Sequence, residues 1–107
     1  MADFDIVALG EPLVELNQTS QGQLQYLQGF GGDTSNAVIA AARQGARCAY
    51  LTRGGDDAFG AQFLALWQAE GVDTSGVEVD VQAHTGLYFV QHGPDGHAFS
   101  YLRRGSA

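Results

Sequence analysis

The sequence contains no lysine, one cysteine and two prolines, and none of its apolar runs is long enough to cross a membrane as a helix. Its five basic residues, all arginine, stand against twelve acidic ones, which gives a net charge of -7 at pH 7. This scarcity of positive charge argues against nucleic acid or an anionic membrane as partners, because both need clustered basic residues. A single cysteine, Cys48, excludes an internal disulfide, and its apolar neighbours predict a buried side chain. Since no charged leader precedes an apolar segment, we expect a cytoplasmic location.

The apolar pattern predicts an α/β domain in these 107 residues, of which 45% are hydrophobic. Short apolar runs predict strands at 5–9, 13–16, 46–52 and 77–81, and helical spacing predicts helices at about 34–44 and 57–70. Either Asp56 or Asp57 is expected to cap the second helix. We expect Gly45 and Gly71 to follow the two helix ends, and the polar segment 18–28 to be a loop with a marginal strand. The order of strand, helix and strand favours a parallel crossover, in a sheet that looks incomplete because parallel sheets need cover on both faces.

Two β-prone runs flank the turn signature Gly-Pro-Asp-Gly at 93–96, which predicts a hairpin. If the two glycines pair across a two-residue turn, Tyr88 stands opposite Tyr101, and both share a face with Arg103. A three-residue loop with Gly96 as a bulge is the alternative, and a slip of one residue would turn Tyr88 to the other face. The register of this hairpin therefore decides whether these side chains converge.

The segment 31–36, Gly-Gly-Asp-Thr-Ser-Asn, precedes the small-residue run of the first predicted helix. Glycines let a backbone approach a ligand closely, and aspartate, threonine and serine are residue types that cap helices. Asn36 would offer its amide beside the free N–H groups of the first turn. These features predict a polar pocket for a hydroxylated or anionic small molecule. A tight turn followed by a capped helix explains the same residues without a ligand.

Six short motifs follow one another along the chain, at 8–15, 31–45, 53–60, 70–74, 85–88 and 101–107. The series resembles the N-terminal third of the ribokinase-like (PfkB) carbohydrate kinases and, within that family, is most similar to the 2-keto-3-deoxygluconate kinases. The resemblance implies an α/β fold, an incomplete ribokinase-like βαβ sandwich with part of a small β lid. Residues 1–107 would form the N-terminal part of a single kinase domain, with lid segments at about 13–30 and 85–104. It also implies ATP and Mg²⁺ as cofactors, with most of their binding residues outside these 107, and allows a homo-oligomer formed through the lid.

The resemblance further implies that five residues hold a sugar acid: Gly32, Asn36, Tyr88, Tyr101 and Arg103. Arginine binds carboxylates through two parallel donors, and tyrosine hydroxyls can pair with sugar hydroxyls or with the carboxylate. An exposed strand charge and two ordinary cross-strand aromatics are the alternatives for the arginine and the tyrosines. For Glu11, Glu15 and Asp33, a functional role and a capping or loop role are equally good explanations.

The implied reaction is ATP-dependent phosphorylation of the C6 hydroxyl of 2-keto-3-deoxygluconate. The family's general base is an aspartate in a Gly-Ala-Gly-Asp motif, expected beyond Ala107, so we predict no catalytic residue in this chain and no turnover by this piece alone. The histidines show no metal-ligand spacing, and we expect no metal site. Two alternatives stay open: a fructokinase or other neutral-sugar kinase of the same family, and a non-catalytic sugar-binding remnant.

Overall fold

The computed structural model describes residues 4–107, which form seven strands and two helices. In chain order these are β1 (Ile6–Leu9), β2 (Leu13–Gln18), β3 (Tyr26–Gly31), α1 (Asp33–Arg43), β4 (Cys48–Gly55), α2 (Ala58–Ala69), β5 (Val77–Asp80), β6 (Leu87–Gly93) and β7 (Gly96–Leu102). A three-stranded sheet has the order β1-β4-β5, and a four-stranded sheet has the order β3-β2-β6-β7. Neither helix of this part of the chain has the length and apolar character needed to span a membrane.

The three-stranded sheet is parallel throughout, as the predicted crossover requires. Both helices pack on one face of it, where Tyr50 of β4 meets Trp67 of α2 edge to face with ring centroids 4.8 Å apart. Side chains alternate between the faces of a strand, so Leu9 and its partner Leu51 lie on the opposite face. They are 76% and 39% exposed, respectively. This face carries no helix of the described residues, which agrees with the expectation of an incomplete sheet.

Helix α1 begins one residue earlier than predicted, and its N-cap is Gly32. No side chain bonds to the amides of its first turn, so the predicted side-chain cap is wrong. The hydroxyl groups have other partners: Thr34 Oγ1 lies 2.6 Å from the Tyr50 hydroxyl, and Trp67 Nε1 donates to Ser35 Oγ at 2.9 Å. These contacts fix α1 to the core and leave the N–H groups of its first turn without a side-chain acceptor.

Helix α2 begins at the predicted cap Asp57, which accepts a hydrogen bond from the Gly60 amide at 2.8 Å. The same carboxylate accepts from the amide of Thr85 at 2.9 Å and from its hydroxyl at 2.8 Å. Burial tends to raise the pKa of Asp57, but the hydrogen bonds from Thr85 and Gly60 outweigh it and hold that pKa below its ordinary value. The amide of Gly55 donates to the Thr85 hydroxyl at 3.1 Å. Asp57 thereby joins the end of β4, the start of α2 and the segment that leads into β6.

Strand β3 lies partly in the segment expected to be a loop, and it pairs with β2 along its whole length. The contacts that stabilise it come from distant parts of the chain. Tyr26 packs edge to face on Phe89 of β6 with centroids 5.8 Å apart, and Phe30 packs on Phe63 of α2 at 5.0 Å. Strand β2 also pairs with β6 in parallel, and its fully buried Val14 joins the helix-covered core. The four-stranded sheet is thus anchored to the rest of the domain through β2 and β3.

Candidate functional site

An open cavity of about 420 Å³ lies where the start of α1 faces the β6–β7 hairpin. All five residues predicted from the sequence line it: Gly32, Asn36, Tyr88, Tyr101 and Arg103. Five others complete the lining: Glu11, Leu13, Asp33, Thr34 and Phe99. The cavity is large enough for a small-molecule ligand. The first turn of one helix and the end of one hairpin thus supply most of the lining of a single cavity.

The hairpin register is the one that lets the two tyrosines converge. Gly93 pairs with Gly96 across a two-residue turn, and Tyr88 stands directly opposite Tyr101. The two phenol rings are stacked, with centroids 5.8 Å apart and planes 25° apart. Arg103 follows the end of β7 and lines the same cavity. The predicted two-residue turn is confirmed, and the bulged alternative is wrong.

Tyr88 is held by Glu15, its neighbour across β2 and β6. Its hydroxyl donates to Glu15 Oε2 at 2.5 Å. Burial raises the pKa of Tyr88 well above its ordinary value, and the hydrogen bond to the carboxylate raises it further. The phenol therefore stays protonated across the physiological pH range. Glu15 is not part of the cavity lining and reaches the site only through Tyr88.

The two motif glycines make room for nearby protein atoms, a role that the prediction of close approach to a ligand did not include. A Cβ on Gly31 would lie 2.6 Å from the ring and hydroxyl of Tyr88. A Cβ on Gly32 would lie 2.6 Å from the carbonyl oxygen of Glu11, and Gly32 has a φ of 98°, a region that favours glycine. The first glycine therefore lets Tyr88 lie across β3, and the second lets α1 start close to the backbone after β1.

Arg103 pairs with Glu11 in the cavity, with Nη2 2.5 Å from Oε1. The side chains are 56% and 32% exposed, respectively. Among the lining residues Arg103 is the one cation, and Glu11 and Asp33 are the anions. A guanidinium has five N–H donors, so this pairing leaves donors free for a ligand. Sequence reasoning named both partners but did not foresee the pair, because nothing local links residues so far apart in the chain.

Phe99 is a lining residue that sequence reasoning missed. It lies two residues before Tyr101 on β7, and side chains two apart on a strand share a face. The alternation that placed Tyr101 could therefore have found it. Thr34 was assigned to capping, but its hydroxyl bonds to Tyr50, and the residue is part of the cavity lining. Within residues 4–107 no group of three or more His, Cys, Asp or Glu side chains is arranged to hold a metal ion.

A parallel sheet with helices on one face, and a cavity between a helix start and a second sheet, define an α/β domain with a cavity of small-molecule size. The pfkB family carbohydrate kinase profile matches residues 3–107, and the chain belongs to that family. The predicted incomplete ribokinase-like fold is confirmed by the fold of solved kinases. A structure of the sugar kinase PH1459 from Pyrococcus horikoshii in complex with ATP matches with a TM-score of 0.85 at 27% identity, over 94% of this chain and 34% of that one.

Two curated relatives differ in the sugar that their names give. The chain is 43% identical to 2-dehydro-3-deoxygluconokinase of Thermoproteus tenax, over 99% of this chain and 35% of that protein. It is 37% identical to probable fructokinase-3 of Arabidopsis thaliana, over 95% of this chain and 31% of that protein. The chain thus spans about a third of the length of the relatives it matches.

Proposed function

We propose that this chain forms the sugar-binding part of a 2-keto-3-deoxygluconate kinase, whose ligand is also called 2-dehydro-3-deoxygluconate. The complete enzyme would transfer the terminal phosphoryl group of ATP to the C6 hydroxyl of this sugar acid. The observation that carries the proposal is the convergence of Gly32, Asn36, Tyr88, Tyr101 and Arg103 on one cavity. The 43% identity to the Thermoproteus tenax enzyme supports the same substrate.

The acid group of the substrate has a suitable partner in Arg103. A planar guanidinium binds a carboxylate through parallel N–H donors. The first turn of α1 adds backbone amides that no side chain caps and the positive end of a helix dipole. Asn36, exposed in the first turn of α1, offers both a donor and an acceptor to sugar hydroxyls. The cavity therefore combines one site for negative charge with several for hydroxyl groups.

A neutral-sugar kinase of the same family is the second candidate, and one observation favours it. Arg103 is already paired with Glu11 in the cavity, so a ligand without negative charge leaves that ion pair intact. The 37% identity to probable fructokinase-3 of Arabidopsis thaliana is in line with this candidate. In a fructokinase, Arg103 would orient Glu11 and would not bind a carboxylate.

ATP and Mg²⁺ belong to the proposal for the complete enzyme. The ATP complex of the Pyrococcus horikoshii kinase supports ATP as the phosphoryl donor. The residues described here do not by themselves form a Mg²⁺ site, and we assign only the sugar side of the reaction to this chain. The general base would come from the family's Gly-Ala-Gly-Asp motif. We also keep as proposals a cytoplasmic location, the role of the four-stranded sheet as a lid, and association of two chains through that sheet.

Calorimetric titration of the complete kinase without ATP tests the choice of sugar, because it measures binding apart from phosphoryl transfer. Charged hydrogen bonds to one carboxylate contribute about 1.5–3 kcal/mol, so 2-keto-3-deoxygluconate is expected to bind at least about tenfold more tightly than fructose. Equal affinities would contradict the acid-sugar proposal, and tighter binding of fructose would favour the neutral-sugar kinase.

A further inference from the structure

A chain of hydrogen bonds on one face of β2 and β6 ends at Glu15. Tyr88 donates to Glu15 Oε2 at 2.5 Å, and Asn17 Nδ2 donates to Glu15 Oε1 at 3.1 Å. Nε2 of His92 lies 2.9 Å from Oδ1 of Asn17. Carboxylate and amide oxygens only accept hydrogen bonds, so His92 donates to Asn17, and the protons from both directions point toward Glu15.

This polarity fixes what Tyr88 can offer a ligand. A phenol hydroxyl has one hydrogen to donate, and Tyr88 uses it in the hydrogen bond to Glu15. We propose that Glu15 is a positioning residue that turns the Tyr88 oxygen into a hydrogen-bond acceptor for a sugar hydroxyl. The proposal rests on the proposed function, in that the ligand of the cavity is a sugar, but it holds for an acid or a neutral sugar.

The hydroxyl of Tyr101 has the opposite hydrogen-bonding role and can donate to a ligand. Tyr101 is 54% exposed and stacks on Tyr88, and its hydroxyl forms no hydrogen bond with the other residues of 4–107. Its proton is therefore free to point at a ligand oxygen. Tyr101 and Arg103 can thus donate hydrogen bonds to a carboxylate or keto oxygen of the ligand. Tyr88 can only accept one, so it requires a sugar hydroxyl as its partner. A sugar acid bound in the reverse direction would place its carboxylate against the lone pairs of Tyr88, so the two tyrosines orient the substrate.

Tyrosine ring NMR tests the hydrogen bond without any substrate. With carbon-13 at Cζ of its tyrosines, the complete kinase gives one resonance for each tyrosine, and the Tyr88→Phe variant identifies that of Tyr88. In Glu15→Gln the Tyr88 resonance is expected to move at neutral pH, because the carboxylate that takes the proton is gone. Glu70→Gln is the matched control, since Glu70 pairs with Arg43 outside the cavity, and it should leave the resonance in place. An unmoved Tyr88 resonance in Glu15→Gln would overturn the proposal.

A double-mutant cycle in the complete kinase tests the effect on the ligand. A neutral hydrogen bond is worth about 1 kcal/mol, so Tyr88→Phe and Glu15→Gln should each raise the KM about fivefold, with kcat within about twofold of wild type. The double variant should match Tyr88→Phe alone, because Glu15 acts only through Tyr88. Independent losses that multiply would contradict the proposal, since Glu15 would then act on the ligand or the fold directly.

Failure of the proposed function can be distinguished from failure of the positioning role of Glu15. A complete protein that phosphorylates no sugar acid would refute that function, and the cycle would then be measured as the Kd of whichever sugar binds. Non-additive losses in Kd would still support the positioning role of Glu15. Unchanged Kd values in both single variants would overturn it.

Discussion

Arg103 and Glu11 form an ion pair within the cavity, with Nη2 of the arginine 2.5 Å from Oε1 of the glutamate. Both side chains are partly exposed, and such pairs contribute little to the stability of the fold. Under the proposed function their importance lies in ligand selection, because a substrate carboxylate would have to share the guanidinium with Glu11 or displace it. We therefore propose that the site distinguishes substrates mainly by their charge.

Replacing Arg103 with alanine should harm an acid substrate far more than a neutral one. Loss of a charge-assisted contact to the carboxylate is expected to raise the KM for 2-keto-3-deoxygluconate about 10- to 100-fold, and that for fructose by less than about threefold. Steady-state kinetics of the complete kinase measure both values. Arg47→Ala is the control, because Arg47 pairs with Asp5 and does not line the cavity. Equal losses for the two sugars would contradict a carboxylate-binding role.

Glu11→Gln tests the competition directly. Removing the carboxylate that already faces Arg103 frees the guanidinium, so the KM for the sugar acid should fall by about two- to fivefold, the range of a weak exposed ion pair. The KM for fructose should not fall. If the KM for the sugar acid rises instead, Glu11 contributes to binding and does not compete with it.

The five predicted site residues were named through the resemblance to the kinase family, and local features explain why they lie around one cavity. The Gly-Pro-Asp-Gly turn sets the hairpin register, which puts Tyr88 opposite Tyr101. The motif at 31–36 marks the start of α1, and Gly45, which has a φ of 93°, follows its end. Turn type and helix ends depend on residues that are adjacent in the chain, so the sequence alone indicates where they lie.

The features that the sequence did not reveal depend on contacts between distant residues. The polar segment 18–28 was expected to be a loop with a marginal strand, but β3 begins within it, and pairing with β2 and packing on β6 and α2 stabilise this strand. The serine and threonine of the motif looked like caps, but Ser35 bonds to Trp67 and Thr34 to Tyr50. Local propensity cannot show a partner that only the folded chain brings close.

Gly32→Ala should destabilise the protein more than Gly45→Ala, although both glycines have positive φ and flank α1. A Cβ at Gly32 would meet the Glu11 carbonyl oxygen at 2.6 Å, whereas a Cβ at Gly45 would meet no atom within 4 Å. We expect a loss of about 1 kcal/mol at Gly45 from backbone strain, and more than about 3 kcal/mol at Gly32 from strain plus the clash. Urea unfolding measures both, and similar losses would contradict the close approach at Gly32.

Asp57→Ala should destabilise the fold in a pH-dependent way. The substitution removes the α2 cap and the two bonds from Thr85, and we expect a loss of about 2 kcal/mol at pH 7. The folded-state pKa of Asp57 is below its ordinary value of 3.8, so the stability that its carboxylate contributes is present above that value and is lost as the pH falls from there through the lower folded value.

The stability difference between wild type and Asp57→Ala should therefore narrow in acid, as chemical unfolding at a series of pH values would show. The neighbouring Asp56→Ala is the control, because only the backbone of Asp56 bonds to Asp80. A difference that is the same at neutral and acid pH would mean that the charge of Asp57 does not matter to the fold.

The most direct test of the central claim is the ratio of kcat/KM for 2-keto-3-deoxygluconate to kcat/KM for fructose. ADP release from the complete kinase with ATP and Mg²⁺ measures both values. A carboxylate held by Arg103 and the first turn of α1 predicts a ratio of at least about 100 in favour of the sugar acid, and the ratio should fall toward 1 in Arg103→Ala. A ratio below 1 in the wild-type enzyme would contradict the account and assign the site to a neutral sugar.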